Sequence, residues 1–95
     1  MLSWYSEKDM FIDIWNSVSH RCEVCGKMIS EPQSWCFAHM LPKGMYPKWR
    51  LERNNISLVC SIDCHMLVDK YCTWNKMIIE KSLENGKKIS IKELR

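Results

Sequence analysis

The chain has 95 residues, a length that fits one small domain with a modest buried core. Its net charge of +3 is mildly basic and by itself identifies no partner. The first residues lack the basic start and apolar run of a secretory signal, and no apolar stretch reaches membrane-spanning length. We therefore expect a cytoplasmic protein that does not associate with membranes. Six cysteines in so short a chain indicate a covalent or metal staple.

An amphipathic helix is predicted over residues 7–19, with Ser6 as its cap. Its hydrophobic residues recur at helical spacing: Met10, Phe11, Ile14, Trp15 and Val18. Two cysteines then flank a tight turn in which Gly26 supplies a left-handed conformation. Residues 27–34 are predicted to form the first strand and the turn of a hairpin, and residues 34–40 its second strand.

The second half of the chain is predicted to contain a loop and a long helix. Residues 42–55 are punctuated by prolines, a glycine and asparagines, which favour a loop. Residues 56–59 suit a short strand or an extended segment. A long helix follows from Ser61 and stops near Gly86, with one apolar stripe formed by Leu67, Tyr71, Trp74 and Ile78. The tail after residue 86 is too short to assign.

Two close-spaced cysteine pairs indicate a structural zinc site. Cys22 and Cys25 are separated by two residues, and Cys60 and Cys64 by three. Zinc takes four tetrahedral ligands, and each short spacing delivers two thiolates from one turn. Disulfides or independent buried thiols are the alternatives. Cys36 and Cys72 have no close-spaced partner and are expected to be small buried hydrophobes, and His20 is a weaker alternative ligand.

Basic and aromatic residues alternate in the loop between residues 39 and 60. The aromatic residues are Tyr46 and Trp49, and Glu52 is the single acidic residue there. This composition suits contact with a phosphate backbone, and a solvated loop is the alternative. The predicted nucleic-acid-binding residues are Lys43, Lys48, Arg50 and Arg53.

Three segments together resemble the HNH nuclease family in its four-cysteine form. They read CEVC, FAHMLPKG and NNISLVCSIDCHMLVD, and the resemblance covers about residues 22–70. It implies an α+β, zinc-stapled ββα-metal unit with a flanking N-terminal helix and a long C-terminal helix. The implied division is an N-terminal extension over residues 1–20, the zinc domain over 21–86 and a tail over 87–95.

The resemblance also implies an activity, that of a metal-dependent DNA endonuclease of the small phage type. His39, on the second hairpin strand, would be the general base, and Asn55 would hydrogen-bond across the loop to hold it in line. His65 would bind a divalent ion, Mg²⁺ or else Mn²⁺ or Ni²⁺. Many members carry an aspartate ligand where this chain has Ala38, and Asp69, four residues after His65, is the replacement that we predict.

Two further functions remain open from the sequence. A catalytically inactive, zinc-stapled module that binds nucleic acid is favoured by the alanine at position 38. A protein-interaction domain is favoured by the tryptophans Trp4, Trp49 and Trp74, if they are exposed.

Overall fold

A computed structural model describes residues 6–95. Within these residues the chain forms helices and one small antiparallel sheet, so the predicted α+β class is confirmed. The elements in chain order are α1 (Glu7–Ser17), β1 (Phe37–His39), β2 (Ile56–Leu58), α2 (Ile62–Thr73), α3 (Lys76–Glu84) and α4 (Ile91–Leu94). Short 3-10 turns precede both strands and interrupt the loop between them.

Helix α1 begins where the sequence predicted. The Ser6 hydroxyl accepts a hydrogen bond from the Asp9 backbone N–H at 3.2 Å, and the Asp9 carboxylate accepts from the Ser6 backbone N–H at 3.3 Å. This reciprocal capping box satisfies two donors that the first turn would otherwise leave unpaired. Met10 and Ile14 are buried, whereas Val18 lies beyond the helix and is exposed.

The predicted hairpin is wrong in its pairing. Residues 34–36 form a 3-10 turn, and residues 27–34 contribute only an isolated bridge, between Arg21 and Met28. Instead β1 pairs with β2, placing Phe37 opposite Leu58. His39 therefore lies on the first strand of the pair rather than on the second. The loop of residues 40–55 joins the two strands, and hydrogen bonds between the buried Asn55 side chain and the Leu41 backbone connect its ends.

The predicted single long helix is wrong as well, because it breaks between α2 and α3. The Asn75 side-chain amide donates to the Tyr71 carbonyl at 2.7 Å and to the Leu94 carbonyl at 3.1 Å. Such local side-chain hydrogen bonds compete with helix continuation. The predicted apolar stripe is interrupted, and Trp74 is 80% exposed. The end of α3 follows the prediction, with Gly86 in the left-handed region at φ 71°.

Two hydrophobic clusters lie on opposite faces of the sheet. Successive strand residues point to opposite faces, so Phe37 joins one cluster and Ala38 the other. The first cluster holds α1 against Ile56 and Leu58, and the Phe11 ring stacks on Phe37 with centroids 4.4 Å apart. The second cluster packs Cys22 and Val24 against α2, α3 and α4.

The C-terminal segment contributes to the second cluster. Ile91 and Leu94 of α4 are both buried there, and α4 contacts α2. The division at residues 20 and 86 stays a prediction. No helix within residues 6–95 combines the length and apolarity needed to cross a membrane.

Candidate metal centre and the adjoining cleft

The four predicted cysteine ligands converge on one point. The Sγ atoms of Cys22, Cys25, Cys60 and Cys64 all lie within 4.8 Å of one another, and none of these thiols is in a disulfide. The Cys25 and Cys60 sulfurs are 3.4 Å apart, and those of Cys60 and Cys64 are 3.9 Å apart. A tetrahedral ion with metal–sulfur bonds of about 2.3 Å requires sulfur separations of about 3.8 Å. The four cysteines are therefore arranged to hold a metal ion.

Local backbone structure delivers each pair of sulfurs. Gly26, at φ 80°, closes the turn after Cys25, and its N–H donates to the Cys22 carbonyl at 2.9 Å. The second pair brackets the start of α2, where the Ser61 hydroxyl caps the helix by accepting from the Cys64 backbone N–H at 3.1 Å. The turn thus places the sulfurs of the first pair, and the capped helix start places those of the second.

The thiols influence one another's ionisation. Burial raises the pKa of Cys22, but hydrogen bonds from the backbone N–H groups of Cys25 and Val24 outweigh burial and bring the pKa to about 7. Burial and the neighbouring cysteines raise the pKa of Cys60 to about 12. One thiolate forms readily, and further ionisation then meets like charge. A divalent cation removes that repulsion, since metal binding displaces the thiol protons.

The remaining cysteines and His20 take no part in this centre. Cys36 and Cys72 are fully or almost fully buried in separate parts of the core, as predicted for small hydrophobes. The His20 ring stacks on Trp15 with centroids 3.5 Å apart and bonds the Trp15 carbonyl at 2.9 Å. It is therefore held as a packing residue.

A cleft of about 420 Å³ lies beside the centre, and three predicted site residues line it. They are His39 at the end of β1, and His65 and Asp69 one turn apart on the same face of α2. Glu7, Phe11 and Lys43 form part of the opposite lining. The strand, the helix and α1 therefore bring residues from three distant parts of the chain to one opening.

Backbone carbonyls orient both imidazoles in the cleft. His39 Nε2 lies 3.0 Å from the Arg50 carbonyl oxygen, and His65 Nδ1 lies 2.8 Å from the Trp35 carbonyl oxygen. A carbonyl only accepts, so each of these ring nitrogens carries the proton and donates. In the neutral rings the lone pairs are then on His39 Nδ1 and His65 Nε2, the nitrogens without a hydrogen-bond partner among residues 6–95.

His39 is partly buried, and this burial lowers the pKa of its imidazole below the ordinary value of 6.5. The Arg50 carbonyl and the Glu7 charge act in the opposite direction, while the charges on Lys43 and Arg50 lower the pKa further. The net effect is a neutral ring at pH 7 with one lone pair available. That is the protonation state in which histidine accepts a proton.

Asn55 is fully buried and ties the loop to the first strand. Its Oδ1 accepts from the Leu41 N–H at 2.8 Å, and its Nδ2 donates to the Leu41 and Trp49 carbonyls at 3.1 and 3.2 Å. The predicted hydrogen bonding across the loop is thus present. It reaches His39 through the backbone, because Trp49 directly precedes Arg50, whose carbonyl accepts the hydrogen bond from His39 Nε2.

The four predicted phosphate-binding cations are split between two environments. Lys43 and Arg50 both pair with Glu7 at the cleft. Lys48 lies 4.8 Å from the ring centroid of Trp49, and Arg53 donates to the Ser17 hydroxyl at the end of α1. The geometry therefore places one pair of cations, rather than all four, next to the histidines.

The cleft does not present a preassembled metal cluster. Among residues 6–95 the only group of three or more metal-ligand atoms within 4.8 Å is the four-cysteine centre. Ala38 is fully buried in the second cluster and lies outside the cleft lining.

No protein-family model, curated protein or solved structure matches this chain.

Two features of the cleft escaped the sequence prediction. Glu7 had no assigned role beyond the predicted helix, yet its carboxylate lies among the site residues. The carbonyls of Arg50 and Trp35 that orient the histidines carry no sequence signal, because every residue has a carbonyl. The sequence shows Glu7 as an acidic residue in the first turn of a helix, but not its partners Lys43 and Arg50, which lie 36 and 43 residues away.

Proposed function

We propose that this chain is a metal-dependent DNA endonuclease of the HNH type, stapled by a structural zinc ion. One observation carries the proposal: His39, His65 and Asp69 line a single cleft, and each imidazole is oriented by a backbone carbonyl. Such carbonyl contacts are how proteins fix a working histidine's tautomer. The resemblance of the sequence motifs to that family agrees with the roles given below.

His39 acts as the general base in this proposal. A water molecule between Nδ1 and the scissile phosphorus loses its proton to the neutral imidazole as its oxygen attacks phosphorus. The new P–O bond forms as the bond to the 3′ oxygen breaks, and solvent protonates the leaving oxygen. The products carry a 5′-phosphate and a 3′-hydroxyl. The Arg50 carbonyl accepts from the opposite side of the ring and stabilises the imidazolium that forms.

His65 and Asp69 would hold the catalytic divalent ion, Mg²⁺ by preference and Mn²⁺ or Ni²⁺ as substitutes. The Nε2 lone pair of His65 and a carboxylate one helical turn away are an appropriate partial ligand set. Such an ion supplies charge neutralisation at a phosphate in reactions of this type. The Trp35 carbonyl holds His65 in its ligating tautomer, as a supporting partner commonly does.

The zinc ion has a different task in this proposal. Four thiolates and no open position are typical of a structural rather than a catalytic zinc site. The centre fixes the start of α2, which carries His65, to the Cys22–Cys25 turn. Within that turn, the Glu23 backbone N–H donates to the Leu58 carbonyl at 2.8 Å, and the Glu23 carboxylate accepts from the Leu58 backbone N–H at 2.8 Å. The zinc site thereby connects α2 to the sheet that carries His39.

Plasmid nicking tests the proposal directly. Purified wild type and His39→Ala are incubated with supercoiled plasmid and Mg²⁺, Mn²⁺ or Ni²⁺ in turn. Because a positioned base contributes about 10²–10⁴ in rate, wild type should exceed the variant by at least the lower figure. His20→Ala, a histidine outside the cleft, is the matched control and should retain activity. Equal nicking by wild type and His39→Ala with every ion would refute the nuclease assignment.

A second candidate is a zinc-stapled module that binds nucleic acid without cleaving it. The absence of a preassembled ligand cluster in the cleft, within the part of the chain described, favours it. DNA retention in a gel shift combined with no nicking by any ion would select this function. The protein-interaction function has weaker support: of the three tryptophans predicted for it, Trp49 is buried, Trp74 is exposed and Trp4 lies outside the described residues.

A further inference from the structure

Glu7 places a carboxylate against two cations at the proposed catalytic cleft. Both of its oxygens lie 3.1 Å from Lys43 Nζ, and Oε2 lies 3.0 Å from an Arg50 guanidinium nitrogen. The three residues come from the first turn of α1 and from the loop between the strands. An acidic side chain thus neutralises the only two cations of the predicted DNA-binding set that lie beside His39 among residues 6–95.

We propose that Lys43 and Arg50 form a binding site for one DNA backbone phosphate, which Glu7 occupies in the DNA-free protein and from which the phosphate displaces it. Glu7 is then a built-in competitor that keeps the cation pair neutral until a polyanion arrives. The proposal rests on the proposed function for its ligand, but it concerns binding and not cleavage.

The chemistry of the two anions supports the exchange. A carboxylate and a phosphodiester each carry one negative charge shared by two terminal oxygens. The Lys43 ammonium and the Arg50 guanidinium reach both carboxylate oxygens here, and arginine's planar fork accepts either anion. A site that already holds a carboxylate in this way therefore has the donors that a phosphate needs.

The position of the pair connects this site to the proposed base. Glu7, Lys43 and His39 all line the cleft, and Arg50, whose side chain pairs with Glu7, accepts a hydrogen bond from His39 Nε2 through its backbone carbonyl. A phosphate that replaces the carboxylate is thus held next to the imidazole. We infer that it is the scissile phosphate or its immediate neighbour.

The exchange is energetically accessible. The Lys43 and Arg50 side chains are 54% and 45% exposed, and that of Glu7 is 22% exposed. Ion pairs this close to solvent contribute little stability, and a polyanion presents many phosphates at once. DNA can therefore displace the carboxylate, although it binds less tightly than it would to a vacant cation pair.

The test compares Glu7→Gln with wild type in binding a fluorescently labelled DNA duplex. Asp13→Asn is the matched control, because it removes the same charge from the same helix and Asp13 makes no ion pair within residues 6–95. Anisotropy is measured without added divalent ion, so that no cleavage occurs, and without chelator, which would remove zinc. Glu7→Gln should bind about three- to tenfold more tightly at low salt, since two exposed pairs no longer compete.

Salt dependence supplies a second reading. A displaced Glu7 takes up a cation and so reduces the net release of counterions, and Glu7→Gln lacks this effect. Its slope of log affinity against log salt should therefore be steeper by about one. Adding Lys43→Gln to Glu7→Gln should abolish the gain in affinity. Glu7→Asp keeps the charge on a shorter side chain, so its affinity for DNA should lie between those of wild type and Glu7→Gln. It is the second variant to use if Glu7→Gln misfolds.

Each outcome decides the proposal. Affinity of Glu7→Gln within twofold of Asp13→Asn would overturn it, as would failure of all the proteins to bind DNA. Tighter binding by Glu7→Gln without nicking by wild type would support the phosphate site while refuting the nuclease. Nicking that depends on His39, with no change in the DNA affinity of Glu7→Gln, would support the nuclease while refuting the phosphate site.

Discussion

The four-cysteine centre and the cleft beside it differ in how completely the fold assembles them. In the centre, all four sulfurs lie within 4.8 Å of one another, brought there by a turn and a capped helix. In the cleft, His39 and His65 are each oriented through one ring nitrogen, but no three ligand atoms from residues 6–95 converge there. The centre is complete in its protein ligands, whereas the cleft is prepared for a group that comes from outside.

This difference matches the chemistry that we propose for each site. A structural ion gains most from a closed set of protein ligands, whereas a catalytic ion must leave positions open for water and substrate. The cleft also holds an internal anion, Glu7, on the cations that would receive a phosphate. Variants that damage one site and spare the other therefore test whether the two are functionally separate.

Removal of one zinc ligand should have the largest effect. Cys25 is exposed, so Cys25→Ser by itself removes almost no packing. If a metal ion occupies the centre, its loss removes binding free energy that reaches about 10 kcal/mol in small zinc domains, comparable to the whole stability of a domain. We expect metal content far below one zinc per chain and loss of the cooperative thermal transition, measured by elemental analysis and circular dichroism.

Cys72→Ala is the control for this prediction. Cys72 is buried on α2 but lies outside the four-sulfur cluster. Its variant should keep one zinc per chain and lose only about 1–3 kcal/mol of unfolding free energy, as is usual for a truncated core residue. Wild-type zinc content in Cys25→Ser would contradict the assignment of the four cysteines.

His65→Ala should produce the second-largest effect, confined to the cleft. If His65 binds the catalytic ion, nicking should fall by at least about 100-fold, the upper limit expected from the loss of a merely supporting partner. The Mg²⁺ concentration for half-maximal activity should rise as well. Zinc content should be unchanged, because the imidazole belongs to the cleft and not to the sulfur cluster.

Met66→Ala provides the comparison for His65→Ala, since Met66 is the next residue on α2 and is 62% exposed. It should leave nicking and zinc content as in wild type. A loss of zinc in His65→Ala would show that the four-cysteine centre and the cleft are coupled through α2 and are not functionally separate.

The pH dependence of nicking should report the state of His39. The base works only when neutral, so kcat/KM is constant above its pKa and falls as the pH decreases through it. Because burial holds this pKa below 6.5, the midpoint of the fall should lie below 6.5 at saturating Mg²⁺. Glu7→Gln should move the midpoint further down, since the Glu7 charge raises the pKa against the Lys43 and Arg50 charges. A midpoint at or above 6.5 would argue against His39 as the base.

Local patterns in the sequence predicted the parts that depend on neighbouring residues. The spacing of Cys22 with Cys25 and of Cys60 with Cys64 predicted two ligand pairs, and Ser6 predicted the start of α1. The pairs do meet, because the sheet and α2 bring them together. The helical spacing of Asp69 from His65 predicted that the two residues share a face of the helix, and both line the cleft; the role of Asp69 as a metal ligand stays a prediction.

Long-range contacts decided the parts that the sequence did not predict. The partner of Phe37–His39 is a strand beyond a long loop, whose two ends are joined by the buried Asn55 amide. At the break before α3, the Asn75 side chain donates to the distant Leu94 carbonyl as well as to the local Tyr71 carbonyl. Neither contact leaves a periodic pattern near the residues that it affects.

Ser57→Ala should have the smallest effect, an increase in stability. Ser57 is fully buried on β2 opposite Ala38, and its hydroxyl is the one buried side-chain polar atom among residues 6–95 without a hydrogen-bond partner. Such an atom costs about 1–3 kcal/mol, so alanine should gain roughly 1 kcal/mol and raise Tm by about 4–8 °C in a chain of this size. Ser30→Ala, at an exposed position, should change the free energy of unfolding by less than about 0.5 kcal/mol.

Zinc content and nicking should stay unchanged in Ser57→Ala, because the hydroxyl belongs to neither site. A decrease in Tm would mean that the hydroxyl has a partner, such as a buried water between the strands. If Ser57→Ala is stable but nicks DNA more slowly, the sheet itself contributes to activity. Since β1 carries His39 and β2 follows Asn55, that result would show that the strand pair adjusts the cleft rather than only separating the two hydrophobic clusters.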